Sequence, residues 1–173
     1  RTPRFSGAQS TDYVAYVEYI NNVNYNYINA AHGGEINVSN TKYHQSETNF
    51  VGNYYKPGPA TLIYKPDKKK WNFFNQTVDA PSMGKTIDIP KWYFAGNVME
   101  GSDELTKDNW KGVTIDNTDY YTISEMRVDT FIQPVNFFRK YKFDWKAYTM
   151  HDNIESAEKA FQTVLAKVGC VNR

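Results

Sequence analysis

The chain has 173 residues, 20 basic and 19 acidic side chains and a formal charge of +1, so it can bury a core without metal or disulfide staples and carries no global field to attract nucleic acid or an anionic membrane. Its single cysteine, Cys170, excludes an internal disulfide, and no apolar run approaches the roughly eighteen residues of a membrane span. Leucine occurs only at Leu62, Leu105 and Leu165 beside 14 tyrosines and 10 phenylalanines, a balance that suits pleated surfaces and predicts a mainly β protein.

The chain opens at Arg1 without methionine, which suggests a processed precursor and a secreted or organellar destination. Residues 1–10 are polar and broken by Pro3 and Gly7, and read as an arm able to pin onto an assembly partner. The remainder, residues 11–173, reads as one β-rich domain with no internal repeat.

Residues 12–34 support a helix stopped at Gly33-Gly34 or a hairpin turning at Asn21-Asn22. The alternation around Asn22, Asn24 and Asn26 and the tolerance of asparagine for positive φ favour the hairpin. Residues 35–59 are loose, with strand material only at 36–38 and 49–55. Residues 60–78 read as a second hairpin, two β-prone arms around Pro66-Asp67 and the lysines that follow. Two short strands come next, separated by Pro90, which cannot donate to a ladder. Ser102 is the expected N-cap of a short helix to about Trp110, with Asp103 and Glu104 in its first turn. Residues 113–115 and 120–132 read as strands.

Residues 135–147 alternate most regularly of all. Val135, Phe137, Arg139, Tyr141, Phe143 and Trp145 form one face, and Lys140, Lys142 and Lys146 stand on the other, the pattern of a long strand lying on a core. A helix over residues 153–168 closes the chain, with Ile154, Ala157, Ala160, Phe161, Val164, Leu165 and Val168 along one stripe and Gly169 as its stop. Together these elements predict an antiparallel β-barrel or β-sandwich with one C-terminal amphipathic helix. That shape is similar to a calycin-like barrel such as a lipocalin, although the glycine-x-tryptophan opening and the cysteine pairs of that family are absent. A jelly-roll-like sandwich fits the same pattern.

No spacing of His32, His44 and His151 suits a metal site, and no phosphate loop, nucleophile elbow or zinc-protease motif occurs. Lys68, Lys69 and Lys70 beside Trp71 resemble a nucleic-acid surface, but the charge balance speaks against one. Arg139 shares the aromatic face, where the commoner arrangement is a pleat that bends out at Phe137-Phe138-Arg139 and leaves the arginine at a rim. An inward arginine needs an acidic partner, either Glu125 or Asp129 within the chain or the carboxylate of a ligand. The expected function is a non-enzymatic binding domain for a small apolar or acidic ligand held by Phe137, Arg139, Tyr141, Phe143 and Trp145. A structural or interaction subunit is the alternative, and a carboxylate-based hydrolase the third. The sequence names no cofactor.

Overall fold

The computed structural model describes residues 3–6, 15–29, 31–35, 46–78, 89–133 and 153–167. Among the described residues ten short strands follow one another: β1 (Arg4–Ser6), β2 (Ala15–Ile20), β3 (Val23–Tyr25), β4 (Ala31–Glu35), β5 (Ser46–Val51), β6 (Tyr54–Lys56), β7 (Phe74–Gln76), β8 (Lys91–Ala95), β9 (Val98–Met99) and β10 (Val113–Ile115). Every third strand joins the same sheet, in the orders β1-β4-β7-β10, β2-β5-β8 and β3-β6-β9. All pairings among the described residues are parallel. A chain that visits three sheets in fixed rotation, stacking each strand on the one laid down a turn earlier, is a three-sided parallel solenoid.

This overturns the antiparallel barrel or sandwich, calycin-like and jelly-roll-like alike. Alternation of period two reports which face of a strand is buried and says nothing about its hydrogen-bonded partner. The turn at Asn21-Asn22 lies where expected, but β2 and β3 belong to different sheets, so it is a corner and not a hairpin. The second predicted hairpin fails more completely. Residues 59–64 form helix α1 (Pro59–Tyr64), Lys68–Lys70 form a 3₁₀ turn, and only β7 is a strand. Residues 120–132 contain a short helix, α3 (Ile123–Met126), followed by a single parallel bridge from Arg127 to Trp92. The helix expected after Ser102 is present as α2 (Asp103–Lys107), with Ser102 accepting from the Leu105 amide. Arg4–Ser6, within the stretch read as an arm, supplies β1.

Inward side chains repeat from turn to turn because the register is parallel. Tyr19, Phe50 and Phe94 stack at successive centroid distances of 4.9 Å, close to the spacing of neighbouring strands. Phe5, Phe74 and Trp92 pack edge-on and tilted beside them. Gly33 lets β1 approach β4: its φ is +130°, and a Cβ there would fall 1.8 Å from the Phe5 carbonyl oxygen.

One corner is built identically three times. Asn21, Gly52 and Gly96 take left-handed φ values of 55°, 63° and 64°, a conformation open to glycine and tolerated by asparagine. Each is followed by an asparagine whose side chain turns inward. The Asn22 backbone N–H and Nδ2 donate to Oδ1 of Asn53 (2.9 and 3.0 Å), those of Asn53 donate to Asn97 (2.9 and 2.8 Å), and those of Asn97 donate to Asn109 (2.8 and 3.0 Å). Asn109 ends the ladder by donating to the carbonyls of Asn97 and Leu105. A buried corner would otherwise leave backbone groups unpaired, and the amides satisfy them.

The last helix, α4 (Ala157–Lys167), packs outside this corner. Asn21 clamps its approach by donating to the Glu155 carbonyl (2.8 Å) and accepting from the Glu155 amide (2.9 Å). Phe161 then stacks on Tyr54 at 4.4 Å and 11°. Ala157 and Ala160 are buried, whereas Leu165 of the predicted stripe is 53% exposed.

Candidate interaction surface

The chain leaves β6 through Pro57 and Gly58, and Pro59 opens α1 with its φ already set for a helix. The inner side of α1 is pinned. Ala60 N–H donates to Asn26 Oδ1 (2.7 Å), and the Thr61 hydroxyl donates to the Tyr27 carbonyl. Thr61 is fully buried. The following three residues therefore project outward, and Leu62, Ile63 and Tyr64 are 54%, 73% and 67% exposed. Tyr25 and Ile28, which flank the Asn26-Tyr27 step that holds α1, are exposed as well.

The far foot of this projection is equally fixed. Trp71 is buried and donates from Nε1 to the Lys65 carbonyl (3.0 Å), while Asp67 caps the 3₁₀ turn by accepting from the Lys69 amide (3.0 Å). Lys68 lies over the Trp71 ring at 5.5 Å and reaches the Gly101 carbonyl. Partial burial pushes the Lys65 ammonium below its ordinary value. Lys69 and Lys70 are exposed. The result is a braced apolar tip followed by four lysines and one aspartate, on a chain of nearly zero net charge.

Beside it, Lys56 forms an ion pair with Glu100 at 2.6 Å, and the Tyr54 hydroxyl donates to the same carboxylate at 2.9 Å. The Lys56 ammonium, then burial acting in the opposite sense, then Tyr54 set the Glu100 carboxyl below the ordinary value, the net direction being down.

Two further places gather polar groups. On the outer face of the β2-β5-β8 sheet, Tyr16 donates to Glu18 (2.5 Å), and the fully buried Asn49 donates to the Tyr16 hydroxyl (2.9 Å) and to the Ile132 carbonyl (2.9 Å). Glu47 stands opposite Tyr16, one alternate position from Asn49. Burial raises the Glu47 carboxyl, and burial with the Glu18 contact raises the Tyr16 phenol strongly. The second place is a groove of about 270 Å³ beside α2, where Arg127 lies over Trp110 at 5.5 Å and pairs with Asp129 at 2.9 Å.

The residues singled out from sequence, Phe137, Arg139, Tyr141, Phe143 and Trp145, lie outside the described residues, as do His44, His151 and Cys170. The acids offered as partners for Arg139 have contacts among the described residues. Glu125 accepts from the Thr122 amide in the cap of α3, and Asp129 pairs with Arg127. Among the described residues no three His, Cys, Asp or Glu side chains gather where a metal could be held, and no helix is long and apolar enough to cross a membrane. The exposed tip was missed because residues 61–64 have strand composition. Pro59 at the start of a helical turn was the available signal.

No protein-family model, curated protein or solved structure matches this chain.

Proposed function

We propose that the chain is a non-catalytic interaction module, a rigid solenoid that presents the α1 projection to a partner. The observation that carries this reading is the run Leu62-Ile63-Tyr64, exposed at the end of a segment that hydrogen bonds and the buried Trp71 hold in place. Exposed apolar residues scattered singly are ordinary on a protein surface, whereas a contiguous, braced group is a contact site. Preorganisation also lowers the entropy lost on binding, because the projecting backbone is already fixed.

The core supports the same reading. Aromatic rings stack through its centre from Tyr19 to Phe94, leaving recognition to the outside. The test is footprinting by a carbene or hydroxyl-radical probe, on purified protein and on the same protein returned to an extract of its source that includes membranes. Leu62, Ile63 and Tyr64 should be protected in the extract. Equal labelling in both would contradict the reading.

A further inference from the structure

We infer that the partner of the α1 projection is the surface of an anionic lipid bilayer. The inference rests on the interaction-module reading and names its partner class. Leu62, Ile63 and Tyr64 are exposed together, and the chain passes directly from them to Lys65, Lys68, Lys69 and Lys70, opposed within the segment only by Asp67. Apolar side chains that can enter the headgroup boundary, with lysines behind them at headgroup height, are the two components of peripheral attachment to acidic membranes. Tyr64 suits the boundary between them, with a ring for the apolar side and a hydroxyl for the wet one.

Size favours a bilayer over a folded protein. The three exposed side chains of the tip offer on the order of a few hundred Å² of apolar surface, short of the roughly 800 Å² that each partner contributes to a stable protein interface. Glu104 acts on Lys69 from α2, but that carboxylate is already paired with Lys111 at 2.8 Å, so the lysine cluster keeps its excess charge. The near-neutral charge of the whole chain excludes long-range steering and leaves this local patch as the attractive element.

The test is co-sedimentation of the intact protein with phosphatidylcholine vesicles, with and without about a quarter phosphatidylserine. The variants are Leu62→Ser with Ile63→Ser, Lys69→Glu with Lys70→Glu, and Leu165→Ser as a control at an exposed apolar residue on α4. All four altered tip positions are exposed, so the fold should persist, and circular dichroism checks that it does. Wild-type protein and the control should bind the acidic vesicles, lose binding as salt rises, and ignore pure phosphatidylcholine. Each tip variant should bind about tenfold more weakly. The inference is overturned if wild type does not bind acidic vesicles, if it binds both compositions equally, or if the tip variants bind as wild type does. Self-association that Leu62→Ser with Ile63→Ser abolishes, without vesicle binding, would make the tip a contact between copies and overturn it too. Protection in the source extract without vesicle binding would sink the lipid partner and spare the interaction module.

Discussion

Gly52 and Gly96 share a left-handed backbone but not their surroundings. A Cβ at Gly52 would lie 2.7 Å from Asn21 Nδ2 and 2.9 Å from the Glu155 carbonyl oxygen, whereas at Gly96 the nearest atom is 4.0 Å away. Asparagine already holds the equivalent corner at residue 21. Gly96→Asn should therefore change stability by less than about 0.5 kcal/mol, and Gly52→Asn should cost about 2 kcal/mol or more, since it must displace the clamp on Glu155. Urea denaturation of the two variants measures the difference. Asn53 is more demanding. It is fully buried, accepts from the Asn22 amide and donates to the Tyr19 carbonyl. Asn53→Ala strands both groups and should cost about 3 kcal/mol or more. Here the sequence was legible only in hindsight. Asn22, Asn53 and Asn97 each follow a corner residue, but the intervals between them differ, so no fixed period marks them, and only the Asn21-Asn22 pair carries a local turn signal.

At the scale of elements, α4 packs on β3 and β6, and α1 is pinned to the Asn26-Tyr27 step just past β3. Phe161 stacked on Tyr54 is half-buried, and Phe161→Ala should cost about 2 kcal/mol, seen as a lower denaturation midpoint. The Lys56-Glu100-Tyr54 cluster between them predicts an acid limb. Lys56 depresses the folded Glu100 carboxyl below 4.5, so its contribution is present above that value and is lost as pH falls through the lower folded value. The Glu100 side chain is 38% exposed, which screens the pair and keeps the effect below about 1 kcal/mol. Glu100→Gln should flatten stability against pH on that limb, and an unchanged limb would remove the cluster from the account. The closing helix and the Ser102-capped helix were legible because helical period and caps are local. Residues 60–64 were not, since β-prone composition yields to the proline that opens α1 and to Thr61 reaching Tyr27.

For the whole molecule, the parallel solenoid buries tyrosines as rungs and as lids. Burial raises the phenols of Tyr16, Tyr19, Tyr27, Tyr54, Tyr55 and Tyr121 above their ordinary value of 10, that of Tyr54 to about 12. Raised folded values favour the neutral form, so this contribution is complete below pH 10 and is lost as pH rises through the folded values. Ultraviolet titration should show these six of the 14 tyrosines ionising only as the fold gives way, in step with loss of circular dichroism. Smooth titration of all 14 at their ordinary value would show the rings to be solvated. The aromatic content of the core was legible from composition, but the mainly β, antiparallel class was not, since the described sheets are all parallel and helices lie between their strands. Nor were strand partners, because parallel neighbours lie a full turn apart in the chain and no local residue records the pairing.

That pairing is the central claim. β7 and β10 run parallel with Asn75 opposite Thr114, 39 residues along the chain, and the Thr114 hydroxyl donates to Asn75 Oδ1 at 2.7 Å. Neighbouring strands stand about 4.8 Å apart, within the Cα separations a disulfide spans. In a Cys170→Ser background, Asn75→Cys with Thr114→Cys should close to one intramolecular disulfide under mild oxidation, identified by mass spectrometry of the non-reduced digest. Two free thiols in a folded protein would contradict the solenoid.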